Sequence, residues 1–194
     1  MEKQFFQFDK ILLLGSRSPR RRELIRSMEI PFRPVDIPFD EEAARFDTPL
    51  ELAKAKMQAY PLPLAPREVL LTADTMVMVD NQPLGKPKDM HQASAMLQQL
   101  SGRSHLVVSA VCMKDAKTET CFADTTIVRF KALSHEEICH YIHHYMPLDK
   151  AGAYGIQEWI GLIGITAIEG SYYTVMGLPT HLVWKHWLKF NGLE

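Results

Sequence analysis

The chain lacks a surplus of either charge: 22 Lys and Arg face 23 Asp and Glu across 194 residues, leaving a formal net charge of -1. Binding nucleic acid through overall charge needs a basic excess, so that class is disfavoured. Three cysteines, none in a CxxC pair, are too few for a disulfide framework. Cys112 and Cys121 would face each other if 107–128 is a hairpin, so a bridge is geometrically conceivable. The expectation is nevertheless two reduced, half-buried thiols, as in a cytosolic protein. The longest apolar run, Trp159–Ile168, contains Gly161 and Gly164 and falls far short of the ~20 residues of a spanning helix. The opening MEKQFFQFDK is polar and aromatic, and Ile11–Leu14 is too short for the apolar core of a secretory signal. A soluble, cytoplasmic protein without membrane attachment is expected. GxSxG, Walker A and GxGxxG are missing, and Ser16 and Ser18 have no evident His and Asp partners, which argues against a serine hydrolase.

What is present is ordinary for a globular chain: 46% hydrophobic and 23% charged residues, with the length of one domain over 1–194. Ile11–Leu14 reads as a buried strand, and Ser18 before Pro19 reads as the N-cap of a helix to about Met28. Pro31, Pro34 and Pro38 mark an extended or looping segment. Thr48-Pro-Leu-Glu51 is a capping box opening a second helix to about Tyr60. Val69–Val79 reads as a strand and Asn81–Gly85 as a turn. Asp89 starts a helix carrying Ala93, Met96, Leu97 and Leu100 at helical spacing, with Gly102 at its end. His105–Met113 and Thr120–Phe130 are β-type runs around a polar turn, and Ser134 caps a helix that stops before Pro147. Residues 150–165 read as loop, 164–168 and 172–176 as a hairpin, and the segment after Pro179 as a helix. Helices mixed with adjacent hairpins indicate an α/β fold with a mixed sheet.

Four segments carry chemistry. Ser16-Arg-Ser-Pro-Arg-Arg-Arg22 lies between a strand and a helix start, where free N–H groups and the helix dipole favour an anion. Helical residues point ~100° apart, so Arg20, Arg21 and Arg22 cannot all meet one ligand. The run fits a solvated basic turn or a phosphate site, and its place at the mouth of a buried strand favours the phosphate. In Thr72–Val79, period-2 alternation puts Asp74, Met76 and Met78 on one face and Ala73, Thr75, Val77 and Val79 on the other. A carboxylate inside an apolar strand is costly unless paired, hydrogen-bonded or bound to metal. Asp74 is thus the leading candidate for a general base or metal ligand, the alternative being a carboxylate satisfied by turn amides. Asp40-Glu41-Glu42 offers a further hard oxygen for Mg²⁺, or simply surface charge. Lys86 is bracketed by Gly85 and Pro87. The loop Asp149-Lys-Ala-Gly-Ala-Tyr-Gly-Ile-Gln157 would display Asp149, Lys150 and Gln157 to a ligand. His140 and His144 have metal-compatible spacing but no HExxH glutamate, and read as surface histidines.

Taken in order, these segments resemble the Maf family of nucleoside triphosphate pyrophosphatases. Ser16–Arg21 is similar to that family's SxSPRR element, Ala73-Asp-Thr75 to its ADT strand and Gly85-Lys-Pro87 to its GKP loop. Leu100-Ser-Gly102, Asp149–Gln157 and Val175–Pro179 resemble its LSG, DKAGAYGIQ and VxGLP elements. The resemblance implies a two-lobed α/β fold, a long twisted mixed sheet flanked by helices with the active-site cleft between lobes, commonly as a homodimer. It implies that Asp74 is the catalytic carboxylate and metal ligand, with Glu41 at a metal-binding acidic position and Mg²⁺ or Mn²⁺ as cofactor. Ser16, Arg20, Arg21 and Lys86 would hold the triphosphate, with Lys56 matching the lysine of an EKA element. Arg20, Thr75 and Gln157 match the subgroup that prefers dTTP and UTP over methylated guanine nucleotides. Three departures are Gly15 for alanine, Ala55-Lys56-Met57 for Glu-Lys-Ala, and Ser109 where the family usually has threonine. The implied reaction releases pyrophosphate from a pyrimidine nucleoside triphosphate, and the alternative is a non-catalytic nucleotide-binding regulator of septum formation.

Overall fold

The apolar stretch after Lys10 forms a strand, β1 (Ile11–Gly15), whose Leu12, Leu13 and Leu14 are fully buried. A run buried on both faces belongs inside a sheet covered on both sides, and β1 pairs in parallel with β2 (Phe32–Pro34) and with β3 (Glu68–Val79). The computed structural model describes residues 6–40 and 46–193. The remaining strands are β4 (Gln82–Leu84), β5 (Ser104–Lys114), β6 (Glu119–Phe130) and β7 (Ile165–Glu169). The helices are α1 (Pro19–Ser27), α2 (Pro49–Gln58), α3 (Met90–Leu100), α4 (His135–Tyr145), α5 (Trp159–Gly164), α6 (Tyr172–Met176) and α7 (Thr180–Phe190). The sheet runs β2-β1-β3-β5-β6-β7 with β4 on β3. Parallel pairs at one end and antiparallel β3–β4 and β6–β7 pairs make it a mixed α/β sheet flanked by helices. No helix among the described residues is long and apolar enough to cross a membrane.

By its contacts the chain divides into two compact units. The first comprises Met1–Asp74, Ala110–Ala123 and Leu178–Glu194. There Leu13, Leu70, Ala53 and Met57 of α2, and Cys112 form one core, while Trp187 of α7 is fully buried. The second comprises Thr75–Ser109 and Asp124–Gly177. Val77, Val79, the apolar face of α3, Phe130 and Tyr141 of α4 form its core.

Helix starts match the capping residues in the sequence. Ser18 accepts from the Arg21 N–H, and Thr48 and Ser134 each close a reciprocal capping box with Glu51 and Glu137. Four expectations are corrected. The turn expected over Asn81–Gly85 is tighter: Asp80 and Asn81 take left-handed φ values of 50° and 60°, so 82–84 already pairs back as β4. The loop expected over 150–165 ends in α5, whose Gly161 lies so close to Ile156 that a Cβ would stand 1.9 Å from the Ile156 carbonyl oxygen. The hairpin expected from 164–168 and 172–176 does not form, because β7 pairs with β6 instead. Ser171 ends it by donating to the Thr126 hydroxyl at 3.0 Å and accepting from it at 3.1 Å, and the chain then coils into α6 and buries Thr174. Finally, Cys112 and Cys121 are joined in a disulfide rather than reduced, since the β5–β6 turn sets them opposite each other with Cα atoms 4.1 Å apart. Cys139 is the free cysteine.

Candidate active site

In the first unit, β1 delivers the chain to Ser16 and the N-terminus of α1. The Ser16 hydroxyl oxygen accepts from the Ser18 N–H and from Arg21 Nη1, each at 3.3 Å. The same guanidinium nitrogen donates to the Ala73 carbonyl at 2.9 Å. Arg21 is only 8% exposed, so its charge is turned into the protein, fastening the helix start to the residue before Asp74. Arg20 and Arg22 are half-exposed and Arg17 exposed, as the helical spacing requires.

Asp74 is met from the other face of β3. Thr72, two residues earlier on the same face, donates to the Ala53 carbonyl of α2 at 2.6 Å and sets helix against strand. One turn on, Lys56 reaches Asp74 Oδ1 with its ammonium at 2.9 Å, and Lys56 is 7% exposed. The apolar-strand carboxylate is therefore satisfied by a buried cation rather than by turn amides. The unit brings together Ser16, Arg21, Lys56 and Asp74 through Ala73 and β3. Glu41 lies outside the described residues. Among the described residues, no three His, Cys, Asp or Glu side chains cluster to hold a metal ion.

In the second unit, the Gly152 N–H donates to the Gly85 carbonyl at 3.1 Å, which ties the loop of Lys86 to the loop ending at Gln157. Lys86 and Gln157 are both exposed. Gly152 accepts this approach with φ +68° and the Val77 methyls 3.1 Å from where a Cβ would lie. The expected display of Lys150 is corrected. Lys150 is 7% exposed, and its ammonium is turned inward, 2.7 Å from Asp149 Oδ1 and 3.1 Å from Glu158 Oε1. Tyr141 donates to the second Glu158 oxygen and accepts from the Gly155 N–H at 3.0 Å. Burial, reinforced by the Glu158 charge, pushes the Tyr141 phenol up from its ordinary value. A lysine inside this loop is thus structural, and what the loop presents outward is Asp149 and Gln157.

Thr75 follows Asp74 but faces the other way. Its hydroxyl lies 2.8 Å from that of Ser109 and 3.4 Å from the Gly177 carbonyl. Ser109 donates to the Thr174 carbonyl at 2.7 Å, and the Thr174 hydroxyl donates to Asp124 at 2.5 Å. Sequence reasoning passed over Thr72, Glu158, Thr174 and Asp124. Thr72 had a signal, its shared face with Asp74, and Glu158 another, a lone charge between a glycine loop and an apolar helix. Thr174 and Asp124, 50 positions apart, had none. His140 and His144 are exposed and stacked on each other, as surface histidines.

The family model described as "Maf-like protein" matches residues 11–190. A dTTP/UTP pyrophosphatase of Porphyromonas gingivalis is 45% identical over 187 residues, 93% of this chain and 94% of the relative. Proteins of the same name from Flavobacterium psychrophilum and Bacteroides fragilis are 43% and 41% identical. The first alignment covers 97% of this chain and 98% of the relative, the second 90% and 93%. The chain belongs to the Maf family.

Proposed function

We propose that this Maf family member is a nucleoside triphosphate pyrophosphatase, hydrolysing dTTP and UTP to the monophosphate and pyrophosphate. The observation that carries this reading is the ion pair of Lys56 on α2 with Asp74 on β3, one residue beyond the carbonyl that Arg21 grips. Relatives of that name match over nine-tenths or more of this chain, which supports the same activity here. Asp74 accepts the proton of the attacking water. Ser16, Arg20, Arg21, Lys56 and Lys86 supply donors and positive charge for the phosphate oxygens and the pyrophosphate leaving group. Arg20, Thr75 and Gln157 select the base; the Gln157 amide offers both a donor and an acceptor, which suits an imide edge.

A divalent cation, Mg²⁺ or Mn²⁺, belongs to this reading. Mg²⁺ takes one or two carboxylates with substrate phosphates and keeps several waters, so the hard Asp74 carboxylate fits it without a larger protein cage. Glu41 is proposed as a second ligand. When bound, the cation neutralises phosphate charge. The protein is further proposed to work in the cytoplasm as a homodimer, without nucleic acid.

The test is pyrophosphate release in the presence of Mg²⁺ from dTTP, UTP, CTP, ATP and 7-methyl-GTP. Release from dTTP and UTP ahead of the others is expected. Preference for 7-methyl-GTP overturns the base assignment, and binding without release from any nucleotide points to a regulator instead.

A further inference from the structure

Helix α4 carries His135, His140, His143 and His144, half of the chain's 8 histidines, and the hydrolytic reading uses none of them. His140 and His144 are exposed and stand one turn apart, the i and i+4 spacing at which helical side chains meet. Their rings stack with centroids 4.1 Å apart. The Nδ1 of His144 lies 2.8 Å from the His140 carbonyl oxygen. A carbonyl only accepts, so this nitrogen carries the proton and Nε2 keeps its lone pair. Metal-ligating histidines are held in the same way, one ring nitrogen donating to a carbonyl that fixes the tautomer and the ring orientation. Among the described residues, no hydrogen bond occupies His144 Nε2 or either ring nitrogen of His140. His140 also packs on Trp159, with ring centroids 4.6 Å apart. His144 lies in the last turn of α4, where the negative end of the helix dipole favours a cation.

We propose that His140 and His144 form a surface site for a late transition-metal ion, Ni²⁺, Cu²⁺ or Zn²⁺, chelated by their two Nε2 atoms. Among the described residues no third His, Cys, Asp or Glu joins the pair, so water completes the coordination. Imidazole suits these ions, whereas Mg²⁺ and Mn²⁺ prefer carboxylate and water oxygens. The site therefore differs in chemistry from the carboxylate at Asp74 and does not rest on the hydrolytic reading. The rival pair on the same helix is His135 with Cys139, whose Nε2 and Sγ lie 3.4 Å apart. Those two atoms already engage each other, and His135 is the first residue of α4, where the helix dipole opposes a cation. The pair near the C-terminal end is the one the geometry favours.

Calorimetric titration of the full chain, prepared without a histidine tag, with Ni²⁺ at neutral pH reads the site directly. Binding is expected to persist in excess Mg²⁺. His140→Ala and His144→Ala each remove a ligand, and each is expected to weaken Ni²⁺ by at least the ~10–100-fold that losing an outer partner of a ligand costs. Cys139→Ser is expected to leave the affinity unchanged. Because His140 packs on Trp159, bound Ni²⁺, an open-shell ion, is expected to quench the Trp159 fluorescence. Trp159→Phe should remove that quenching and keep the heat of binding. Absence of binding up to millimolar Ni²⁺ overturns the inference, as does displacement by Mg²⁺. Binding that survives both histidine variants and is lost in Cys139→Ser also overturns it, and moves the metal to His135 and Cys139. Melting temperatures of the variants without metal, expected to match the wild type for these exposed positions, separate a lost ligand from a disturbed helix. A histidine variant that melts early and binds Ni²⁺ as the wild type does overturns the inference too.

Discussion

Lys56 Nζ stands 2.9 Å from Asp74 Oδ1, with both side chains largely withdrawn from solvent at 9% and 16% exposure. Taking either charge out of water is costly, and each is tolerated because the other is there. Lys56→Met should therefore cost about 3 kcal/mol of stability, by leaving a nearly buried carboxylate unpaired. Urea denaturation measures this, and a loss below about 1 kcal/mol would show the pair to be solvated and dispensable.

Asp74→Asn keeps the shape and an oxygen for Lys56 but can no longer accept a proton. Pyrophosphate release should fall ~10²–10⁴-fold while the circular dichroism spectrum is unchanged. Activity within tenfold of the wild type would remove Asp74 from the proton transfer.

Arg21 reaches Ser16 Oγ and the Ala73 carbonyl with one nitrogen of its planar guanidinium, at the end of a side chain longer than that of lysine. Arg21→Lys keeps the charge, so a pure phosphate-binding role would leave the melting temperature alone. The buried geometry predicts instead a loss of about 1.5–3 kcal/mol together with a raised KM.

These contrasts show what was legible in the chain. Ser18, Thr48 and Ser134 announced helix starts because capping is local chemistry, and the alternation through Asp74 announced its isolated face. The Lys150 orientation was not legible, since Tyr141 and Glu158 that draw it inward come from separate elements. Residues 172–176 carry Tyr, Thr and Val, good strand formers, yet Ser171 and Thr126 close the strand from 45 positions away and the segment coils. Glu41 was read from its family position and lies outside the described residues. Local signals carried the elements and the catalytic strand, and long-range hydrogen bonds decided which side chains face outward.

The Cys112–Cys121 disulfide makes a chemical prediction that needs no structure. Alkylation in denaturant without reductant should modify one cysteine, Cys139, and with reductant all three. Three modified cysteines before reduction would return the pair to the thiol state expected from composition. The bridge packs in the same core as Ala53 and Met57, so reduction should also destabilise the first unit, by about 2–3 kcal/mol for so short a loop.

His105 supplies the pH dependence. It is 3% exposed and stacked on Phe130, its Nε2 lies 2.7 Å from the Tyr154 hydroxyl, and among the described residues nothing meets Nδ1. Burial pulls its pKa from 6.5 down to about 4, because a charged ring there would be desolvated. In the unfolded chain the ring titrates near 6.5, so between 6.5 and 4 the unfolded state binds a proton that the folded state refuses. The contribution is thus fully present above pH 6.5 and is lost as the pH falls toward 4, reaching about 2 kcal/mol at pH 5. Unfolding free energies at pH 7.5 and pH 5 measure it, with His105→Gln as the reference that cannot titrate. The wild type should lose about 2 kcal/mol more than the variant between the two pH values. Equal losses would mean that the imidazole accepts its proton inside the folded protein, and that its burial is not what sets the acid limit.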